Sequence, residues 1–305
     1  MNIASIDIGS NSVILLIAGI SDDGKSFTPL KNLYATPRIS RNLTDGGRFA
    51  PDSIDRLIET LKNYISVSKE YNAGIILAGA TQAFRKAADA SSAASEIKKK
   101  LGIEIRILSG YEEGLLTFLG AVTDFNAFSG YLIDIGGAST EIMLGNKGKI
   151  LFSHSFNFGA VSLCEYFNSA PPAGEETILA IKNHIIREIK GNPPPLHPCG
   201  AIAVAGTPTT LACMHAGIKD FDETIIEGYN LKAEGIKKLI AAMSILTPPE
   251  ILDRYGEIIA GREDLMLTGA VILNTVMEIL KLEEVQVSAR GLRHGIIYNY
   301  LNKII

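Results

Sequence analysis

The sequence predicts an α/β protein built from two similar domains. With 305 residues, the chain is longer than one hydrophobic core usually supports. Apolar runs typical of strands are mixed with amphipathic segments typical of helices, which is the pattern of an α/β fold. The strand–turn–strand pattern around Asp7 also returns around Asp134, and these two numbers differ by 127. A repeat at that distance indicates a duplicated domain rather than a solenoid.

The predicted strands of the first half are apolar runs bounded by turn residues, and they cover residues 3–9, 12–20, 27–39, 73–79 and 103–109. The helices predicted between them are residues 50–72, 81–102 and 110–125. Pro51 and Asp52 stand at the start of the first helix. The second helical region is expected to break near Ser91–Ser92 and to end at Gly102.

The second half restarts the pattern with three strands in "GYLIDIGGASTEIMLGNKGKILFSHSFNFG", with turns at "GGAS" and "GNKGK". The helices predicted after it are residues 160–168, 175–191, 207–217, 231–246 and 264–282, with a strand at 200–206. The segment "VQVSARGLRHGIIYNYLNKI" is predicted to be a strand, a turn and a closing helix. A cleft between two such domains is a usual place for a ligand.

Composition and charge narrow the class of protein. The chain is 47% hydrophobic and 20% charged, which is ordinary for a globular protein, and its formal net charge of -4 disfavours a general nucleic-acid binder. Three cysteines without C-x-x-C spacing favour a reduced cytoplasmic compartment. The apolar run "VILLIAGI" is 8 residues, too short to span a bilayer. We therefore expect neither nucleic acid nor membrane as a partner.

The two D-I-G turns are the first candidate site. For a single copy, a plain turn is an equally good interpretation, because Asp accepts local backbone hydrogen bonds and Gly supplies unusual dihedral angles. Two copies, each between apolar strands and followed by hydroxyl residues, favour a nest of backbone N–H groups for phosphate oxygens. The carboxylates cannot contact a phosphate directly, because like charges repel. They would instead hold Mg²⁺ or a water molecule beside the phosphate.

The strand–helix junction in "AVAGTPTTLA" is a third candidate, because a helix N-terminus favours anions. We expect the strand to end at Gly206, with Thr207 as the helix cap and Pro208 at its first position. The alternative is an ordinary strand–helix junction. The predicted phosphate-binding residues of the three turns are Ser10, Asn11, Ser12, Gly136, Gly137, Ala138, Ser139, Gly206 and Thr207.

The segment "LSGYEEGLL" contains the most specific prediction. Ser109 and Glu112 have the spacing of a capping box, which gives Glu112 a structural task. Glu113 is left in the first turn without a local partner, and a solvated helix-start carboxylate is the alternative interpretation. Arg85 lies one turn into a helix after a strand, and its planar fork suits phosphate. Surface exposure is the alternative for Arg85.

At these motifs the sequence resembles the exopolyphosphatase/guanosine pentaphosphate phosphohydrolase (Ppx/GppA) family of the actin/sugar-kinase/Hsp70 superfamily. The resemblance runs nearly end to end through seven blocks in order, namely "IDIGSNSVILLI", "AGATQAFRKAAD", "ILSGYEEGLLTFLGAV", "LIDIGGASTEIMLG", "FNFGAVSLCEYF", "VAGTPTTLA" and "VSARGLRHGIIY". One block would be weak, but seven in sequence are specific.

The resemblance implies two ribonuclease-H-like (actin-like ATPase) domains with the active site in the cleft between them. The domains would be residues 1–124 and 125–290, with the C-terminal helix 291–305 packing on the first. It implies Mg²⁺-dependent hydrolysis of a terminal phosphoanhydride in inorganic polyphosphate or guanosine pentaphosphate (pppGpp). A homodimer is left open.

The resemblance also gives roles to single residues. The catalytic base of the family falls on Glu113, and the remaining catalytic residues are Glu141 and Arg85. The metal-binding residues would be Asp7, Asp134 and Glu141. We expect a water activated by Glu113 to attack the terminal phosphorus in line. Basic side chains that could guide the rest of a polyanion are Arg38, Arg41, Arg48, Lys86, Arg290 and Arg293, with plain solvent exposure as the alternative for each.

Three positions depart from the family pattern. Ala138 replaces the third glycine of D-I-G-G-G, Ser162 replaces an arginine, and His294 replaces a glutamate. The chain also ends where longer members continue, which makes processive action on long polyphosphate doubtful. The departures leave a polyphosphate- or (p)ppGpp-binding regulator open, and a superfamily ATPase or kinase is a second alternative. The sequence does not rank polyphosphate against pppGpp.

Overall fold

The computed structural model describes residues 1–41, 43, 46–122, 127–147, 149–197 and 199–304. They form two compact units, Met1–Gly120 with Gly291–Ile305, and Ala121–Arg290. The predicted boundary between residues 124 and 125 lies outside the described residues. Among the helices described, none combines the length and the apolar character needed to cross a bilayer.

The strands are β1 (Asn2–Ile8), β2 (Val13–Ile20), β3 (Phe27–Ala35), β4 (Ala73–Ala80), β5 (Ile105–Ile107), β6 (Ser129–Ile135), β7 (Thr140–Asn146), β8 (Lys149–Phe156), β9 (Gly200–Val204), β10 (Tyr229–Lys232) and β11 (Glu284–Val287). The helices are α1 (Pro51–Glu70), α2 (Gln82–Lys86), α3 (Ala90–Leu101), α4 (Gly110–Ala121), α5 (Ala160–Phe167), α6 (Glu175–Gly191), α7 (Gly206–Ala216), α8 (Glu223–Ile226), α9 (Ala233–Ser244), α10 (Pro248–Tyr255), α11 (Met266–Leu280) and α12 (Leu292–Asn302).

The first unit contains a five-stranded sheet with strand order β3-β2-β1-β4-β5. The first three strands form an antiparallel meander, and β4 and β5 run parallel to β1. The second unit repeats this order as β8-β7-β6-β9-β11 and adds β10 at the edge. The strands β1 and β6 begin at residues 2 and 129 and end at 8 and 135, so both ends differ by the same 127 positions. The α/β class predicted from the sequence is confirmed.

The two faces of the first sheet bury different partners. Alternate β1 residues, including Ala4 and Ile6, belong to the core shared with α1 and α3. Ile3 packs on the other face with Ile297 of α12. Because side chains alternate along a strand, Asp7 lies on the same face as Ile3. The packing of β1 therefore directs the Asp7 carboxylate toward the face of the sheet that α12 covers.

One helix boundary differs from its prediction. The expected break near Ser91–Ser92 is wrong, because α2 ends at Lys86 and α3 begins only at Ala90. The Ala88 N–H donates to the carbonyl of Gly47 at 2.7 Å, and the Asp89 carboxylate accepts the Phe49 N–H at 3.2 Å. These long-range bonds interrupt the helical region between Lys86 and Ala90, a few residues before the predicted position. The end of α3 at Gly102, which has a φ of +73°, is confirmed.

The helices α4 and α12 approach each other through glycines. A Cβ at Gly295 would lie 1.7 Å from the carbonyl oxygen of Leu116, and a Cβ at Gly120 would lie 2.2 Å from that of Gly291. Both contacts are with backbone, which does not move aside as a side chain does. The helix α4 is therefore held against α12 without room for even one methyl group.

We expect Gly295→Ala to lower the free energy of unfolding by about 1–3 kcal/mol, because the added methyl group forces the two backbones apart. Urea denaturation measures the loss. Gly191→Ala at the end of α6 is the matched control, since no atom lies within 4 Å of its Cβ position. Equal stability of the two variants would show that α4 and α12 separate at no energetic penalty.

Candidate active site

The first unit gathers acidic and basic side chains near the end of β1. Asp7 pairs in register with Ile14 of β2 and Gly79 of β4, so it lies on a central strand with a neighbour on each side. The next segment after β4 carries Arg85 on the short helix α2, and the segment after β5 carries Glu113 on α4. Parallel strands deliver their C-terminal ends to one edge of a sheet, which is why these residues, far apart in sequence, become neighbours.

The capping box predicted at the start of α4 is confirmed. The Ser109 N–H donates to a Glu112 carboxylate oxygen at 2.8 Å, and the Glu112 N–H donates to Ser109 Oγ at 3.2 Å. Glu112 also pairs with Arg106 at 2.5 Å on the surface. These bonds fix the first turn of α4, so the orientation of the next residue, Glu113, is determined by the helix geometry.

Glu113 is buried and paired with Arg85. Its carboxylate lies 2.5 Å from Nη1 of Arg85, and the two side chains are 9% and 19% exposed. The surface alternatives for both residues are therefore wrong. Arg85 is itself held by the carbonyl of Leu108 at 3.0 Å and by Gln82 Oε1 at 2.9 Å. Its Nη2 atom is buried, and no hydrogen-bond partner for it occurs in the described part of the chain. One guanidinium nitrogen thus remains to donate to a ligand.

The acidic groups at this edge have raised pKa values. The pKa of Asp7 rises from 3.8 to about 7, because burial disfavours its charged form and because the charge of Glu113 lies nearby. Arg293 of α12 acts in the opposite direction. Burial also raises the pKa of Glu113, and Arg85 opposes this effect. Both shifts bring the pKa values of these carboxyl groups closer to neutrality, which suits a general base.

The raised pKa of Asp7 predicts a stability that falls as pH rises. Between roughly pH 4 and pH 7 the folded state binds more protons at Asp7 than the unfolded state, so the free energy of unfolding decreases across that window and is level above it. We expect Asp7→Asn to be more stable than the wild type at pH 8 in chelator, and to lose most of this advantage at pH 4. Thermal unfolding of both proteins at pH 8 and at pH 4 measures this difference in stability. An unchanged difference between the two pH values would contradict the prediction.

The loop after β1 leaves a row of N–H groups for a ligand. It is closed by the Gly9 N–H, which donates to the carbonyl of Ser12 at 2.9 Å. The carbonyl of Asn11 accepts the Arg38 N–H at 3.0 Å, and the carbonyl of Ser10 accepts the N–H of Ser40 at 3.1 Å. Among the described residues, no acceptor is bonded to the N–H groups of residues 10–12. This is the pattern of an anion-binding nest.

The loop after β6 has the same construction. The Gly136 N–H donates to the carbonyl of Ser139 at 3.0 Å, in positions that differ by 127 from those of the first loop. The carbonyls of residues 136 and 137 accept N–H groups from the first turn of α5 at 2.8–3.0 Å. For the N–H groups of residues 137–139, the described residues again supply no acceptor. The similarity of the two turns, predicted from the D-I-G repeat, is confirmed.

The structure accommodates Ala138 and Ser162, two of the departures from the family pattern. Ala138 does not have a positive φ, so the backbone accepts its methyl group without strain. Ser162 accepts the Gly159 N–H at 2.9 Å and closes the N-terminus of α5. Gly159 lies so close to the loop that a Cβ there would be 2.6 Å from the carbonyl carbon of Gly137. The loop is therefore supported by α5 despite the missing arginine.

Asp134 and Glu141 form an acidic pair in the second unit. They are directly opposite each other on the antiparallel strands β6 and β7. Both are buried, and Glu141 accepts a hydrogen bond from Ser155 Oγ on β8 at 2.5 Å. Opposed carboxylates repel one another unless a proton or a cation lies between them. Ser155 had no signal in the sequence, because its role depends on strand register.

The start of α7 differs from its prediction. The helix begins at Gly206, and its cap is Ala205 with a φ of +74°, so the assignment of Thr207 as the cap is wrong. Thr207 is instead buried, and its methyl group would lie 2.6 Å from a Cβ at Gly269 of α11. At Gly206 a Cβ would lie 2.1 Å from Nη1 of Arg262. The position of Arg262 at this junction had no local signal, since 56 positions separate the two residues in the sequence.

The acidic pairs fit magnesium better than a transition metal. Mg²⁺ prefers oxygen ligands, keeps several waters and needs only one or two carboxylates. Asp7 with Glu113, and Asp134 with Glu141, offer such oxygens, and a cation beside either pair would offset the repulsion between its members. Within the described ranges, no group of three or more His, Cys, Asp or Glu residues could hold a metal by itself. Water or substrate oxygens would have to complete the coordination.

Comparison with known proteins identifies the family of this chain. The model of the Ppx/GppA phosphatase family matches residues 16–304. The chain belongs to this family. Exopolyphosphatase 1 of Mycobacterium bovis is 26% identical over 308 residues, which cover 99% of this chain and 89% of that protein. The family resemblance inferred from seven motifs is therefore confirmed.

Solved structures agree on the fold. The crystal structure of the Aquifex aeolicus Ppx/GppA family member matches with a TM-score of 0.82 and 28% identity, covering 99% of this chain and 98% of that one. An exopolyphosphatase from Cytophaga hutchinsonii matches with a TM-score of 0.88 over 100% and 99% of the two chains, and at 24% identity it supports the fold alone. The two units of this Ppx/GppA protein thus have the actin-like fold that was predicted.

Proposed function

We propose that this Ppx/GppA protein removes the terminal phosphate of inorganic polyphosphate by hydrolysis and releases orthophosphate. The observation that carries the proposal is the buried pair of Glu113 and Arg85, in which the carboxylate lies 2.5 Å from a guanidinium whose Nη2 has no hydrogen-bond partner among the described residues. Water attack on a phosphate uses a group that orients or deprotonates the water and positive groups that neutralise the developing charge, and this pair supplies one of each. Family membership and the exopolyphosphatase relatives agree with this chemistry.

The reaction would run as an in-line displacement. Glu113 takes a proton from a water molecule, whose oxygen forms a bond to the terminal phosphorus. The bond from that phosphorus to the bridging oxygen breaks, and the shortened chain leaves with the electron pair. Arg85 donates to a phosphate oxygen through Nη2, and N–H groups of residues 10–12 and 137–139 are the proposed donors to further oxygens. Gly206 and Thr207 remain proposed contacts at the start of α7.

Magnesium would supply charge neutralisation for the phosphate chain. We assign Asp7, Asp134 and Glu141 to it, directly or through water, in agreement with the sequence prediction. Glu141 is also the second proposed catalytic carboxylate, and Ser155 holds it in place at 2.5 Å. Removal of divalent cations with chelator is therefore expected to stop phosphate release, and added Mg²⁺ to restore it.

We infer that pppGpp is a second substrate class, because its 5′ end carries the same terminal phosphoanhydride. The deciding experiment measures orthophosphate release from tripolyphosphate, long polyphosphate, pppGpp and ATP side by side, with Mg²⁺ and with chelator. Release from both polyphosphates without any acceptor supports the proposal. Turnover of ATP only with an added acceptor would identify a kinase, and tight binding without release in Mg²⁺ would identify a regulator. A cytoplasmic location and a homodimer stay predictions, which fractionation and light scattering would test.

A further inference from the structure

The edge strand β3 carries a tyrosine that is bonded to the loop of residues 10–12. The hydroxyl groups of Tyr34 and Ser12 lie 2.8 Å apart, although 22 positions separate the two residues in the sequence. Ser12 is one of the proposed phosphate-binding residues, whereas Tyr34 lies outside all seven family motifs. The contact therefore brings a side chain that no motif identifies to the proposed binding site.

The strand register places Tyr34 on the same face of the sheet as Asp7. Ile14 of β2 is paired with Asp7 on one side and with Tyr34 on the other. Side chains that are directly opposite each other on neighbouring strands share a face, and two strand spacings separate the outer members by about 10 Å. Leu33 and Ala35, the neighbours of Tyr34, pack on the core of the opposite face. The tyrosine ring is therefore oriented toward the side of the sheet on which the Asp7 carboxylate lies.

The backbone of the loop and the side chain of Ser12 are held by different contacts. The Gly9 N–H fixes the backbone by donating to the carbonyl of Ser12. Within the described part of the chain, the phenol of Tyr34 is the one hydrogen-bond partner of the Ser12 hydroxyl. A serine hydroxyl rotates to suit its partners, so the direction of its hydrogen depends on the group that it contacts. Tyr34 therefore determines where the Ser12 hydroxyl hydrogen points.

The direction of donation between the two hydroxyl groups decides what Ser12 can offer to a ligand. A phenol is more acidic than an aliphatic alcohol, which makes it the stronger donor of the two. When Tyr34 donates to Ser12 Oγ, the Ser12 hydrogen is available for a phosphate oxygen, and two hydrogen bonds in series strengthen each other. In the opposite direction, the phenol would take the Ser12 hydrogen, and a ligand could not use it.

We propose that Tyr34 is a positioning residue of the phosphate loop, which donates to Ser12 Oγ and thereby directs the Ser12 hydroxyl hydrogen at a phosphate oxygen. The inference rests on the proposed function, because the ligand is the phosphate group of the substrate. Tyr34 is 45% exposed, and loss of a polar group at such a position disturbs folding little. Removal of its hydroxyl is therefore expected to alter ligand affinity and not stability.

The test is a double-variant cycle of Tyr34→Phe and Ser12→Ala. Tyr34→Phe removes the hydroxyl and keeps the ring. Calorimetry measures the affinity for tripolyphosphate in chelator, so that turnover does not intervene, and urea denaturation of the same preparations measures stability. Tyr300→Phe is the matched control, because Tyr300 is 43% exposed and belongs to the same unit.

We expect Tyr34→Phe to weaken binding of tripolyphosphate by about fivefold and Ser12→Ala by about tenfold, since each change removes the use of one hydrogen bond. In the Ser12→Ala background, adding Tyr34→Phe should change the affinity by less than about twofold, because Tyr34 acts through the hydroxyl that is already absent. An equal loss in both backgrounds would indicate a structural effect of the ring and overturn the proposal. An equal loss in Tyr300→Phe, or tighter binding by Tyr34→Phe, would overturn it too.

Phosphate release in Mg²⁺ distinguishes this inference from the proposed function. In a hydrolase, kcat/KM for tripolyphosphate should follow the same non-additive pattern as the affinity. Non-additive losses of binding in a protein that releases no orthophosphate would support the task of Tyr34 and refute the hydrolase. Orthophosphate release with additive losses in the cycle would refute the task of Tyr34 and leave the hydrolase standing.

Discussion

Glu113→Gln is expected to lower the rate of phosphate release from polyphosphate by about a hundredfold or more, because the amide cannot take the proton of the attacking water. Substrate affinity should change much less, since the amide keeps the shape of the side chain. Steady-state kinetics in Mg²⁺ separate kcat from KM for this comparison. The buried position of Glu113 and its bond to Arg85 are the structural basis of the expectation.

Glu112→Gln is the matched control for the base. The two glutamates are adjacent, yet Glu112 caps α4 and pairs with Arg106 at the surface. Because glutamine also serves at this position of a capping box and the pair with Arg106 is at the surface, we expect its replacement to alter stability by less than about 1 kcal/mol and to leave kcat nearly unchanged. If Glu113→Gln kept activity within about threefold of wild type, the assignment of the base would be wrong. If both variants lost activity equally, the loss would come from disturbance of the first turn of α4 and not from removal of the Glu113 carboxylate.

Arg85→Met is expected to lower both the stability and the catalytic rate of the protein, and this is the second-largest effect that we expect. Removing the cation leaves the Glu113 carboxylate buried without its partner, which should lower the free energy of unfolding by about 3 kcal/mol. The catalytic rate should fall by about a hundredfold, because a donor to the transition state is lost. Urea denaturation and kinetics measure the two losses on the same preparations.

A double-variant cycle separates the two effects of Arg85. Adding Glu113→Gln to Arg85→Met removes the unpaired charge, so we expect much of the stability to return while the catalytic rate stays at least about a hundredfold below that of the wild type. Arg106→Met serves as control, because the Arg106–Glu112 pair has the same 2.5 Å distance but lies at the surface, and its loss should alter stability by less than about 1 kcal/mol. Additive losses in the cycle would show that Arg85 and Glu113 are not energetically coupled.

The sequence predicted most of what depends on short-range pattern. Most strands of both halves, the capping box at Ser109 and the repeated loop after Asp7 and Asp134 each have a signal within a few residues. Such signals are local, because capping, strand alternation and turn chemistry involve neighbours in the chain. The observed loop bonds from Gly9 and Gly136 follow this repeat closely.

What the sequence did not predict depends on contacts between distant segments. The break before Ala90 is made by bonds from Gly47 and Phe49, and the strand β10 forms only by pairing with β11. The contact of Arg262 with Gly206 likewise joins two remote positions. The burial of Glu113 needed both the cap, which was visible in the sequence, and the approach of Arg85, which was not.

The central claim is that water attacks the terminal phosphorus, and isotope labelling tests it most directly. Polyphosphate is incubated with the protein and Mg²⁺ in ¹⁸O-enriched water, and the released orthophosphate is analysed by mass spectrometry. The account predicts that each orthophosphate formed in a single turnover carries one solvent oxygen, and that Glu113→Gln forms almost none. Release of unlabelled phosphate, or transfer of the phosphoryl group to another acceptor with no label gained, would contradict it.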